Sequence, residues 1–160
     1  MPSWNDTEKT KIANLIKTAK ITKDVSWYRK DSVKKIVAAK ATYQKIEDAT
    51  GVPKVMVAII QAQEDFSDLG VFKSYLGNGQ PFNKKTTIVP KGRGPFSSWE
   101  AGAIDAIKYD KLDQVKGWSL EKVLFYCEFF NGFGYRSHGI NTPYVWCFTN
   151  HYTKGRYVAD

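Results

Sequence analysis

The sequence predicts an α+β fold that is mostly helical, and three observations predict it. Apolar residues recur at helical spacing in five separate segments. One of these, Val55-Met-Val-Ala-Ile-Ile60, is apolar on all sides, the mark of a helix that lies in a core. Between residues 69 and 96 the helical pattern stops, and Gly70, Gly77, Asn78, Gly79, Pro81, Pro90, Gly92, Gly94 and Pro95 punctuate short β-prone pieces. A small, irregular β insertion directly after the buried helix is the expected result.

The first helix is expected from about Asp6 to Ala19, capped by Asn5 or Asp6, with Ile12, Leu15, Ile16 and Ala19 on one face. A polar connection, Lys20 to Ser26, leads to a second helix from about Lys30 to Ala49. Its inward side would be Val33, Ile36, Val37, Tyr43 and Ile46. Thr50-Gly51 ends it, and Pro53 opens the buried helix, where a missing N–H costs little. That third helix runs into Gln63-Glu64-Asp65. Asn78-Gly79 is a turn signal, and Thr86-Thr-Ile-Val89 is the most β-prone piece of the insertion. Ser97 or Ser98 then caps a helix through about Tyr109, with Ala101, Ile104 and Ile107 inward. Ser119 caps another, from Leu120 to about Phe130, with Val123, Leu124, Cys127 and Phe130 inward. In Pro143-Tyr-Val-Trp-Cys-Phe148 the alternation reads as a half-buried strand.

A chain of 160 residues suits one domain with one substantial core, here spanning 1–160, with residues 1–50 as an N-terminal helical pair packed on it. Gln61 and Gln63 interrupt the longest apolar run, so no integral membrane segment is expected. The start, Met-Pro-Ser-Trp-Asn-Asp, is polar and holds no signal-peptide core, which predicts synthesis in the cytoplasm. Cys127 and Cys147 are too few for a disulfide framework and read as free, buried thiols, with one bridge between them as the alternative. With His138 and His151 the only histidines, no metal site and no cofactor are expected. The formal net charge is +8, and residues 1–50 hold 11 basic and 6 acidic residues, so they contribute +5 of it. Such a balance suits a polyanionic partner: nucleic acid, an anionic membrane face, or the bacterial cell wall. A lysine-coated solvated face would look the same.

Several segments resemble phage-type endolysins, cell-wall muramidases of the lysozyme-like superfamily. The matching pieces are Ile59-Ile-Gln-Ala-Gln-Glu64, Leu76-Gly-Asn-Gly-Gln-Pro81, Thr86-Thr-Ile-Val-Pro90 with Gly92-Arg93, and Pro95-Phe96 through Trp99-Glu100. Downstream come Ala103-Ile-Asp-Ala106, Phe130-Asn-Gly-Phe-Gly-Tyr135, Pro143-Tyr-Val-Trp146 and Tyr157-Val-Ala-Asp160. They span roughly Pro53 to Asp160 in the family's order; residues 1–50 carry no such motif. Two positions depart from the family pattern. Gln61 stands where relatives often carry His, and Gln80 where they often carry Asp.

The resemblance implies a lysozyme-like fold, a helical lobe with a β insertion after the catalytic helix. It implies cleavage of the β-1,4 bond between N-acetylmuramic acid and N-acetylglucosamine in peptidoglycan. Such cleavage needs a proton on the leaving oxygen and a means of meeting the oxocarbenium charge. Glu64, at the end of a buried helix, is the expected proton donor, active when protonated. Gln80, Thr86 and Thr87 could hold water against the opposite face of the sugar, although a neutral amide or hydroxyl orients water without acting as a strong base. One glutamate also suits a lytic transglycosylase, in which the sugar's own 6-hydroxyl attacks. A catalytically inactive wall-binding module is the third reading. Phe130–Tyr135 is similar to the Asn-Gly helix end of goose-type lysozymes, which implies Asn131 and Tyr135 as sugar contacts; a glycine C-cap among core aromatics is the alternative. Tyr144, Trp146, Asn150 and Tyr152 could line the sugar cleft, or several of them could be core. Arg93 and Arg136 could meet stem or lactyl carboxylates, or simply cover the surface. The implied partner is the peptidoglycan glycan strand, bound by a monomer that reaches the wall from the host cytoplasm after holin-type release, or from the virion.

Two further classes fit less well. In proteins that stack single-stranded nucleic acid, aromatics and basic residues alternate. Here half of the lysines fall in the first 50 residues while most aromatics lie from Phe66 onward, so no nucleic-acid partner is expected. The first helix is amphipathic and lysine-rich, but its apolar side is modest, so it is expected to face the core.

Overall fold

Helix caps written in the sequence set most of the element boundaries. The computed structural model of the protein describes residues 2–154, apart from the side chain of Trp27. α1 (Asp6–Thr18) starts where the Asn5 side chain accepts from the Glu8 N–H at 3.0 Å. The predicted second helix is two: α2 (Ser26–Ala38) and α3 (Lys40–Thr50), separated at the buried Ala39. The break lets α3 bury Tyr43, Ile46 and Thr50 while Val33 and Val37 of α2, expected to face inward, are exposed. Gly51 closes α3 in the left-handed region at φ 74°. α4 (Lys54–Glu64) buries Met56, Val57, Ala58, Ile60 and Gln61, and leaves Val55 half in solvent.

A short 3-10 turn, Phe66–Asp68, follows. Residues 69–98 then form a loop-rich segment that holds one isolated β bridge, between Ser74 and Pro81. Thr86–Val89 is bent and does not join a ladder. The physical reason lies in the side chains: Asp68, Asn78, Gln80 and Thr86 bond the backbone groups that a ladder would otherwise pair.

α5 (Trp99–Tyr109) is capped by Ser98, and α6 (Leu120–Phe130) by Ser119, as their sequence signals predict. α7 (Gly134–Ser137) and α8 (Pro143–Trp146) are single turns. The strand reading of residues 143–148 is therefore corrected. Thr142 accepts from the Tyr144 N–H, and Pro143 occupies the first helical position, so the backbone is already set for a helical turn.

The described residues fall into two compact units: those up to Tyr28 together with those from Ser119 onward, and Arg29–Trp118. The N-terminal helical pair is thereby divided, with α1 in the first unit and α3 in the second. In the first unit α1 packs on α6, and α6 on α8. Ile12 and Phe125 are buried there, and Trp4 meets Phe125 edge-on at 5.2 Å. Ile21 bridges to Thr149. Cys127 is buried at 0% exposure, Cys147 is half-buried, and both are free. Arg136 donates to Glu128 and Glu8 and lies over the rings of Phe125 and Phe133, 5.2 and 4.8 Å from their centroids. Burial works against its charge, but the two carboxylates hold the guanidinium protonated above its usual range.

In the second unit α3 packs on α4 and α5 around Tyr43, Ile46, Met56, Ile60 and Ile107, all nearly inaccessible. Tyr75 stacks on Phe96 at 5.2 Å, and this pair lies against Gly102 of α5. No helix among the described residues is long and apolar enough to cross a membrane.

Candidate active site

Glu64 is the last residue of α4 and is half-buried. The turn that carries it is fixed by a buried polar chain. Tyr43 Oη donates to Gln61 Oε1 at 2.6 Å, and Gln61 Nε2 donates to the carbonyl and carboxylate of Asp68 at 3.0 and 3.1 Å. Asp68 also accepts from the N–H groups of Lys73 and Ser74, at 2.7 and 3.0 Å. Burial, with the Asp68 charge second, pushes the Tyr43 hydroxyl up to about 12, so it stays a donor. Gln61 is thus the link between α3, α4 and the following loop.

Asp65 ends the helix. Ser67 donates to its carboxylate through both its hydroxyl and its N–H, and the Ser74 hydroxyl adds a third bond at 2.9 Å. These bonds, the Ser67 hydroxyl foremost, hold the carboxyl below the usual range. Asp65 is a loop-organising anion beside Glu64.

The Asn78-Gly79 turn comes back onto this helix end. Gly79 has φ 71°, and a Cβ there would sit 3.1 Å from the Glu64 carbonyl oxygen, so only glycine suits both the backbone and the space. Its neighbour Gln80 is engaged at both ends of its amide. Oε1 accepts from the N–H groups of Thr87 and Ile88 at 2.7 and 3.2 Å, and Nε2 donates to Thr87 Oγ1 at 2.9 Å. Asn78 Nδ2 donates to the carbonyls of Ile88 and Val89, and Asn78 Oδ1 accepts from the Gln80 N–H. Two amides therefore clamp the exposed Thr87–Val89 tip beside the glutamate's helix end.

Thr86 has a different occupation from Thr87. It is buried, its hydroxyl donates to the Pro90 carbonyl, and it accepts from the Arg93 N–H at 2.9 Å, so it closes the 86–93 loop. Arg93 forks onto Asp105 of α5, which also accepts from Tyr75 Oη at 2.9 Å, and lies 5.3 Å from the Tyr109 ring centroid. The Asp105 bonds raise the guanidinium above its usual range. Its fork is taken up by Asp105.

The remaining candidates lie in the other unit. Asn131, exposed at the end of α6, donates to Thr142 Oγ1 at 3.3 Å. Tyr135 is half-buried on α7. Tyr144 and Trp146 are buried, at 8% and 6% exposure, and Trp146 meets the His151 ring edge-on at 5.5 Å. They belong to the core of their unit, the second of the two readings that the sequence left open for them. Asn150 clasps the end of α1: its side chain accepts from the Lys20 N–H and donates to the Thr18 carbonyl. The Arg29–Trp118 unit thus brings Glu64, Gln80 and Thr87 into one neighbourhood, with Thr86 and Arg93 as its internal struts. Asn131, Tyr135, Tyr144, Trp146 and Asn150 are in the other unit.

Sequence reasoning missed Asp68, Asn78 and Asp105 as organisers of the loop. The first two carried a usable signal, because Asp and Asn next to glycine turns commonly bond the backbone a few residues on. Asp105 carried none, since its partners are distant in sequence. No group of three or more His, Cys, Asp or Glu among the described residues is placed to hold a metal ion. The Tyr157–Asp160 segment lies outside the described residues. No family model, no curated protein and no solved structure matches this chain at a significant level.

Proposed function

We propose that this protein is a cell-wall lytic glycosidase of lysozyme-like layout. It cleaves the β-1,4 bond between N-acetylmuramic acid and N-acetylglucosamine in bacterial peptidoglycan, with Glu64 as general acid. The observation that carries the reading is the close approach of Gly79 to the Glu64 carbonyl. It brings a loop bearing an amide and a hydroxyl to the end of the glutamate's helix, where a glycosidase needs a proton donor and a group facing the sugar. The net charge of +8 favours an anionic wall. A phage-encoded role, in host lysis or wall penetration, follows from the family resemblance.

One feature favours the transglycosylase form of this activity. Gln80 is neutral and its amide is engaged with Thr87 and Ile88, while Asp65 and Asp68 are bonded within the loop. A mechanism that needs no water-activating carboxylate suits that set. Glu64 protonates the glycosidic oxygen as the C1–O bond breaks. The 6-hydroxyl of the muramyl residue then bonds to C1 and returns its proton to Glu64, leaving a 1,6-anhydro end. In the hydrolytic form, water takes the place of the 6-hydroxyl and a reducing end results.

Purified peptidoglycan treated with wild type and with Glu64→Gln, followed by mass analysis, tests the reading. Wild type should release soluble muropeptides, and Glu64→Gln should lower that rate by roughly 10²-fold or more. Anhydro ends identify the transglycosylase and reducing ends the hydrolase. Wall binding by the wild type without any soluble fragments would overturn the enzyme reading in favour of a wall-binding module.

A further inference from the structure

α2 is turned against the usual sense of an amphipathic helix. Its Ser32 is buried at 4% exposure, whereas Val33 and Val37 are 55% and 64% exposed. Val55, at the start of α4, is 53% exposed. Between the two helices runs an open groove of about 200 Å³, almost wholly apolar, lined by Ile36, Val37, Lys40, Tyr43, Lys54 and Val55 among others. All of it belongs to the Arg29–Trp118 unit. Val37 and Val55 line this groove and Val33 stands one turn before Val37 on α2, so the exposed valines cluster, unlike the scattered apolar residues common on protein surfaces.

Cations outnumber anions around the patch, where Glu47, paired with Lys54, is the carboxylate beside the groove. At roughly 100° per residue, Arg29, Lys30 and Lys34 fall within about a quarter turn of the Val33–Val37 line, and Asp31, the acidic residue of α2, falls on the far side. Lys40 and Lys54 stand at the groove, the latter paired with Glu47 at 3.4 Å. Short branched side chains bounded by long cationic ones suit a surface that is apolar within and diffusely negative outside. A folded acidic partner would instead need directional polar groups facing the groove, and its lining is carbon.

We infer that the α2–α4 face is a docking surface for an anionic phospholipid bilayer, with Val33, Val37 and Val55 entering the headgroup boundary and Arg29, Lys30, Lys34 and Lys40 meeting the lipid phosphates. Each cation near such a surface adds attraction that salt weakens. The inference does not depend on the glycosidase reading, because it rests on residues apart from the Glu64 neighbourhood.

Cosedimentation of the full chain with vesicles of pure phosphatidylglycerol and of pure phosphatidylcholine tests it, at low and at physiological salt. Wild type should pellet with phosphatidylglycerol vesicles, less so at the higher salt, and not with phosphatidylcholine. The double variant Val33→Gln, Val37→Gln, which leaves the charge unchanged, should lose at least tenfold in partitioning, with an unchanged thermal midpoint because both positions are exposed. Lys30→Gln with Lys34→Gln should weaken binding and flatten its salt dependence. Equal binding by wild type and the Val33→Gln, Val37→Gln variant would overturn the inference, since charge alone would then explain adsorption. So would the absence of vesicle binding, or a wild-type dimer in sedimentation velocity that Val37→Glu dissolves, which would make a second copy the occupant.

Discussion

Gln80 holds three hydrogen bonds to Thr87 and Ile88 through one amide, and the chemistry of that amide separates two substitutions. Gln80→Glu keeps an oxygen for the Thr87 and Ile88 N–H groups, and the Thr87 hydroxyl can turn to donate to the other oxygen. The loop should hold, with a carboxylate now near the end of α4. Gln80→Ala removes all three bonds and frees the tip. Glycan cleavage should fall by roughly 10–10²-fold in Gln80→Ala, as expected for loss of positioning. Gln80→Glu should retain activity and shift the products toward reducing ends, as mass analysis would register. Asp110, at the end of α5, makes a different prediction. Burial pushes its carboxyl up from 3.8 to about 6. A carboxyl raised in the folded state stabilises it fully below the unfolded value, and that contribution is lost as pH rises through the folded value. Asp110→Asn should therefore raise stability above pH 6 by about 1 kcal/mol, after allowance for solvent screening, and change little near pH 3.8. Thermal midpoints across that range measure it.

Among the elements, those with end signals were legible. Asn5, Ser98 and Ser119 cap α1, α5 and α6 as their side-chain chemistry dictates, and Gly51 closes α3. The break between α2 and α3 was not legible, because Ala39 is a strong helix former and neither glycine nor proline marks the spot. The insertion was legible as irregular, but its pairing was not. Its backbone is bonded by side chains from Asp68, Asn78, Gln80 and Thr86, and propensity scales do not see such partners. α8 was misread for a related reason: alternating burial at Thr142, Tyr144 and Trp146 imitates a strand, although the cap and Pro143 start a helical turn. The α6–α7 junction gives the prediction at this scale. Arg136 is the cation between Glu128, itself 7% exposed, and Glu8. Arg136→Met should cost about 2–3 kcal/mol in urea unfolding by leaving Glu128 buried without its charge partner. Adding Glu128→Gln should recover part of that loss.

At the scale of the whole molecule, the chain order and the spatial order differ. The Arg29–Trp118 unit is inserted between two stretches that form the other unit. Its boundaries carry no proline- or glycine-rich linker, and the first falls inside α2, so sequence reading treated the chain as one body. The same organisation accounts for the candidate site. Glu64, Gln80 and Thr87 were legible together because a buried helix and a glycine turn mark them within one unit. The aromatic candidates near the C-terminus rest on a short motif and on alternation, neither of which can tell a sugar platform from a core. Tyr144 and Trp146 are core.

The two cysteines supply a clock for the unit that holds them. Burial pushes the Cys127 thiol up to about 12 and also raises the half-buried Cys147. Alkylating reagents attack thiolates, so in the native protein Cys147 should take the first label and Cys127 should wait for α6 to leave its core. The rate at which doubly labelled chains accumulate then counts openings of α6, read by mass. If that rate equals global unfolding, the unit opens all at once; if it is faster, α6 detaches while the Arg29–Trp118 unit stays folded.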